Sequence, residues 1–144
     1  MASASEVIRR LSHDDLVVVF SGINDYDLND ISLTFRNIKH YITTNNHTNI
    51  LLMKVPFRLD LPNSLSVNEN ISVLNRRLQT LTKAFPHSTF LGTLDNRNLF
   101  TTHGLHRNRL GNKLVNFQLA HLFITIFDQN LHSQFLSGGG ISVM

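Results

Sequence analysis

Hydrophobic residues along the chain form short continuous runs that alternate with longer stripes of helical spacing. The run at 16–20 is the most hydrophobic in the chain and predicts a buried strand, and the run at 50–55, continuous except for Lys54, suits a strand covered on both faces. Residues 88–91 can form a short third strand. The stripes at 28–42 and 67–85 repeat every three or four residues, as along one face of an amphipathic helix. This alternation predicts an α/β fold in which a short parallel sheet lies between helices, a three-layer α/β/α arrangement.

Two further helices are predicted near the ends of the chain. Val7, Ile8 and Leu11 have helical spacing and precede the first strand. Apolar residues almost encircle the segment from about 109 to 127, which predicts a helix buried on more than one side. We expect a single domain over residues 1–130, followed by a flexible glycine-containing tail over 131–144.

Composition narrows the functional classes. The net charge of +3 comes from a chain in which only 16% of residues are charged, so a dedicated nucleic-acid domain is not indicated and only weak contact with nucleic acid is expected. The absence of cysteine excludes disulfides, thiolate metal sites and a cysteine nucleophile. Without a signal peptide or a membrane-length apolar run, we expect a cytoplasmic protein with no membrane contact.

Polar clusters follow two of the predicted strands. Gly22-Ile23-Asn24-Asp25 follows the first strand, and His103-Gly104-Leu105-His106 follows the third. Because parallel strands present their carboxyl ends at one edge of a sheet, Asn24 and His106 are expected to converge. An asparagine amide there can donate to a developing oxyanion, and a neutral histidine can act as a general base.

Structural readings of the same residues stay open. Asn24 fits turn chemistry, Asp25 fits a turn or helix cap, and His106 fits a loop histidine with no chemical role. His103 and His106 lack an acidic or cysteine partner at useful spacing, so we expect neither a metal nor a cofactor. Basic residues around the last helix favour a solvated face over a phosphate site; they are Arg97, Arg107, Arg109 and Lys113.

Taken together, the two clusters resemble the SGNH hydrolases, also called GDSL-type esterases. The Gly-x-Asn-Asp block of that family is matched by Gly22, Asn24 and Asp25, and its histidine block by His106 within Leu105-His106-x-Asn108-x-x-Gly111. The resemblance covers roughly residues 5–127 and implies a partial, flavodoxin-like version of the family fold. The amino-acid sequence of residues 100–106 is also similar to that of esterase-like domains in insect retroelement-derived proteins.

The resemblance implies hydrolysis of an acyl or acetyl ester. A serine would attack, His106 would accept its proton, and Asn24 would help to hold the oxyanion, with Gly22 and Asp25 near the substrate. Two features depart from the family: the chain contains no Gly-Asp-Ser block, and His103 stands where an aspartate would orient the histidine. We therefore expect a domain that lacks the first strand-helix-strand portion, is inactive by itself, and takes an ester only when that portion is supplied.

Two other hypotheses remain. One is a non-catalytic module of retroelement origin that binds nucleic acid or protein. In the family sheet the Val17-Val18-Val19 strand would pair with the missing first strand, so its edge is expected to be open to self-association. The other is a fragment without function.

Overall fold

Three parallel strands form the centre of the molecule. The computed structural model describes residues 3–20, 31–60, 66–93, 96–102, 104 and 106–136. The strands are β1 (Leu16–Val19), β2 (Asn49–Met53) and β3 (Ser88–Leu91), hydrogen-bonded in the order β1-β2-β3. The α-helices are α1 (Ala4–Arg9), α2 (Ile31–Thr44), α3 (Ser66–Ala84) and α4 (Arg109–Leu136), and a short 3₁₀ helix spans Arg97–Leu99. The predicted α/β alternation is confirmed.

The central strand β2 is buried on both faces, and its alternating side chains define the two halves of the core. Ile50 and Leu52 face a cluster that includes Leu74 and Leu78 of α3 and Ile42 of α2. The next residues in the pleat, Leu51 and Met53, pack against the opposite cluster, which contains Val115 of α4. The sheet therefore lies between α2 and α3 on one side and α4 on the other, which confirms the three-layer arrangement.

Two asparagines of α3 hold the chain where it leaves β2. The buried side chain of Asn75 accepts a hydrogen bond from Val55 N–H and donates one to Val55 C=O, both at 2.9 Å. Asn68, two turns earlier, makes the same pair of bonds to Arg58, at 2.8 and 3.0 Å. The segment after β2 is therefore fixed to α3 through side-chain amides, although it has left the sheet.

The connection from α1 to β1 is held against β2. Asn49 Nδ2 donates to the carbonyls of His13 and Asp15, at 2.6 and 3.0 Å. A capping box joins Ser3 and Glu6 at the start of α1, and its Ser-x-x-Glu spacing is readable in the sequence. The two bonds from Asn49 fix the segment that leads into β1 against the start of β2.

The last helix differs from its prediction in length and in burial. It runs to Leu136, well past residue 127, because no proline or glycine interrupts the sequence between Gly111 and Gly138. The expected tail thus begins inside the helix, and residues 137–144 lie outside the described part. The prediction of burial on more than one side is wrong, since Phe117 and Ile124 are 64% and 63% exposed. Among the described residues, no helix has the length and apolar character needed to cross a bilayer.

Candidate functional site

A pocket of about 280 Å³ lies at the carboxyl edge of the sheet. It is formed by the ends of the strands and by the loop that precedes α4, the location at which α/β sheets bind ligands. Its volume is close to the lower end of the range for small-molecule sites. The lining residues are Phe20, Met53, Lys54, Pro56, Thr93, Phe100, His106, Arg107 and Asn112.

His106 reaches this pocket from a tightly closed loop. Phe100 and Arg107 form an antiparallel bridge, and Thr101 N–H donates to the His106 carbonyl at 2.8 Å. Gly104 N–H donates to Thr101 C=O, also at 2.8 Å, and closes the turn between them. The backbone on both sides of the loop is therefore hydrogen-bonded. This pairing fixes the backbone position of the exposed His106.

Gly104 is required for the loop to pack. Its φ of +77° lies in the left-handed region that side chains disfavour. A Cβ at this position would lie 2.6 Å from the Leu59 carbonyl carbon and 2.8 Å from the Asp60 nitrogen. The absence of a side chain thus lets the histidine loop rest directly on the turn that follows β2.

That turn places a carboxylate near the histidine. Arg58 donates two hydrogen bonds to Asp60, at 2.8 and 2.7 Å. The Arg58 guanidinium holds the pKa of the Asp60 carboxyl below its ordinary value against a smaller opposing effect of burial, and the charge of His106 acts in the same direction as Arg58. The ionised Asp60 carboxylate is therefore held by Arg58 on the turn against which the histidine loop packs.

Two cationic side chains line the same pocket. Arg107 lies with its guanidinium 5.0 Å from the centre of the Phe100 ring and donates to the Thr93 hydroxyl at 2.8 Å. The ammonium group of Lys54 lies 4.9 Å from the centre of the Phe57 ring. None of the described lining residues is acidic, so the pocket favours negative charge on a ligand.

Two residues of the motif that resembles the SGNH histidine block have structural tasks. Asn108 Oδ1 accepts from Gly111 N–H at 2.9 Å in the first turn of α4, and Nδ2 donates to the carbonyls of Asn98 and Phe100. Gly111 has the Leu99 carbonyl so close that a Cβ would collide with it. Both residues join the 3₁₀ helix to α4. This structural role is sufficient to explain why they are present.

The predicted site residues differ in how the structure treats them. Gly22, Asn24, Asp25 and His103 lie outside the described residues. His106 lines the pocket, and so does Phe20, which ends the run that leads into the Gly22 block. Phe20, which precedes the Gly22 block, and His106 therefore line one pocket.

Sequence reasoning missed three charged residues around the pocket. Lys54 interrupts an apolar run, and Arg107 was assigned to a solvated face, yet both line the pocket. Lys54 carried a usable signal, because it is the first polar residue after the buried strand β2. Asp60 gave none, since its approach to His106 depends on Gly104 and the loop contact.

Within the described ranges, no group of three or more His, Asp or Glu side chains is placed to bind a metal.

Comparison with known proteins gives no relative. No family model matches the chain, and neither does any curated protein or any solved structure. The resemblance to SGNH hydrolases therefore depends on the residues themselves, and a functional assignment depends on the geometry of the pocket.

Replacing Gly104 by alanine tests the loop contact. Gly104→Ala should lower the free energy of unfolding by about 1–3 kcal/mol, because the side chain meets the Leu59–Asp60 backbone and the left-handed conformation is strained. Gly92→Ala is the matched control, since a Cβ there has no atom within 4 Å. It should be neutral or slightly stabilising in the same urea titration. Equal losses in the two variants would contradict the described packing.

Proposed function

We propose that the chain is an SGNH-hydrolase-like domain that carries the histidine side of an acyl-ester hydrolase site. The observation that most directly supports this proposal is that Phe20 and His106, far apart in sequence, line one pocket at the carboxyl edge of the sheet. Phe20 directly precedes the segment with Gly22, Asn24 and Asp25. The position of Phe20 supports a location of the Gly22 block at the same edge of the sheet as His106.

The chemistry of the pocket suits an acyl ester. Phe20, Met53 and Pro56 offer apolar contacts for an acyl chain. Lys54 and Arg107 would stabilise the negative charge that develops on the carbonyl oxygen when a nucleophile attacks. His106 would take the proton from that nucleophile.

We expect the 144-residue chain by itself to have no ester hydrolase activity. The sequence contains no Gly-Asp-Ser block, so the covalent route to ester hydrolysis lacks its nucleophile. A strand-helix-strand segment that carries this block would complete the site next to β1. The chain alone is then a binding half-site that requires a second part for catalysis.

Hydrolysis of p-nitrophenyl acetate tests the proposal in two steps. The purified chain should hydrolyse the ester no faster than its His106→Ala variant. Fused behind the Gly-Asp-Ser-containing segment of an active SGNH esterase, the chain should gain turnover that His106→Ala lowers at least about a hundredfold. His121→Ala, which changes an exposed histidine of α4, is the control and should leave turnover unchanged. A folded fusion without turnover, or turnover independent of His106, would contradict the proposal.

The open edge of β1 favours a second candidate, a module that binds another chain through strand pairing. Among the described residues β1 has one hydrogen-bonded neighbour, β2, and its sequence Leu-Val-Val-Val carries no charge or proline that would protect the edge. A groove of about 380 Å³ runs beside it, lined by Val17, Val18 and Val19 and by α2. It adjoins a cavity of about 780 Å³ between α1 and α2, with which it shares Asn37 and Tyr41.

Amide hydrogen exchange in β1 tests this second candidate. If the edge pairs with another strand, the β1 amides should exchange more slowly as protein concentration rises. Val18→Lys should remove that concentration dependence, because it places a charge in the paired strand. Val73→Lys on α3 should preserve it, since Val73 has nearly the same exposure, 39% against 38%. Exchange in β1 that is independent of concentration would eliminate edge pairing.

A further inference from the structure

The outward surface of α4 carries an apolar stripe that the pocket does not use. We call it the α4 seam; its positions follow one another at alternating steps of three and four residues, and they are Leu110, Lys113, Phe117, Ala120, Ile124 and Phe127. Leu110 is 49% exposed, and Phe117 and Ile124 are more exposed still. Five of the six positions are apolar, so the seam is an exposed hydrophobic surface rather than a solvated helix face.

The other side of α4 is already occupied by the sheet. Val115, Leu119 and Leu122 pack in the cluster formed around Leu51 and Met53. This second stripe explains why apolar residues almost encircle the helix in sequence. One stripe belongs to the domain core, and the seam lies on the surface that the core leaves open.

The spacing of the seam identifies the kind of partner. Apolar residues every 3.5 positions are typical of a helix that packs lengthwise against another helix. From Leu110 to Ile124 the seam is about 21 Å long at 1.5 Å per residue. A small residue, Ala120, lies between the bulky Phe117 and Ile124, which allows two helices to approach closely at the middle of the seam.

The charges along α4 select a second copy in antiparallel orientation. Lys113 lies in the seam near the start of the helix, and Asp128 lies beside its far end; both are exposed. Parallel pairing would bring Lys113 against Lys113, whereas antiparallel pairing brings Lys113 of one copy toward Asp128 of the other. We propose that two copies of the chain associate through antiparallel contact of their α4 seams. This two-fold contact is independent of the proposed hydrolase chemistry.

Sedimentation velocity over a range of concentrations tests the pairing. The chain should dimerise, and Ile124→Glu should weaken the dimer at least about tenfold, because it puts a charge into the apolar centre of the seam. Leu33→Glu is the matched control on α2, where Leu33 is 46% exposed outside the seam, and it should dimerise as the unmodified chain does. Circular dichroism checks that each variant is folded. A chain that stays monomeric up to its solubility limit, or dimers weakened equally by both changes, would overturn the proposal.

Charge reversal tests the orientation separately. In an antiparallel pair Lys113→Glu should weaken the dimer about two- to fivefold at low salt, since it faces Asp128. The double variant Lys113→Glu with Asp128→Lys should restore the affinity. A Lys113→Glu variant that dimerises more tightly would show relief of a Lys113–Lys113 repulsion and would overturn the antiparallel assignment.

Discussion

The side-chain amide of Asn75 does for Val55 what a neighbouring strand would do. It accepts from the N–H and donates to the C=O of a residue that lies buried just beyond the end of β2. Pro56 follows and has no N–H to contribute to a ladder. Without Asn75 two buried backbone groups would lose their partners, at a cost of about 1–3 kcal/mol for each group.

The geometry of the pocket follows from that constraint through successive contacts. Asn75 and Asn68 fix residues 55–58 to α3, so the turn at Leu59 and Asp60 has a defined position. Gly104 rests on this turn and carries the histidine loop with it. On the other side of the loop, the close approach of Gly111 to Leu99 attaches the 3₁₀ helix to α4. His106 is therefore positioned by backbone contacts on both sides, independently of any substrate.

The spacing of hydrophobic residues and the polar residues at strand ends predicted most of the helices and strands from the sequence. The strand β2 and the long stripes of α2 and α3 were evident because they bury continuous apolar surface. The run at 16–20 is less buried than predicted, since Val18 and Phe20 are 38% and 61% exposed. The end of α4 was not evident, since no proline or glycine marks it before Gly138. The outward seam of α4 was mistaken for buried surface because periodicity shows that residues share a face without showing what covers it.

The site was predicted in part, for a physical reason. His106 follows a strand and precedes a helix, and this context is local in the sequence. The approach of Asp60 to the histidine depends on a glycine 44 positions later in the chain, which no local pattern encodes. Arg107 lines the pocket because Phe100 and Thr93 hold it there, and both contacts are made across the folded loop.

Phe20, directly after β1, and His106 of the histidine loop line one pocket, and a cross-link between these two positions tests this geometry most directly. The chain has no cysteine, so a double variant with Phe20→Cys and His106→Cys holds a single pair of thiols. A short bismaleimide should join these two thiols within one molecule, as detected by intact mass and peptide mapping. The pair Phe20→Cys with Val73→Cys, whose second position lies on α3 away from the pocket, should not be joined. Failure to cross-link the first pair, or equal cross-linking of both pairs, would contradict the placement of Phe20 and His106 in one pocket.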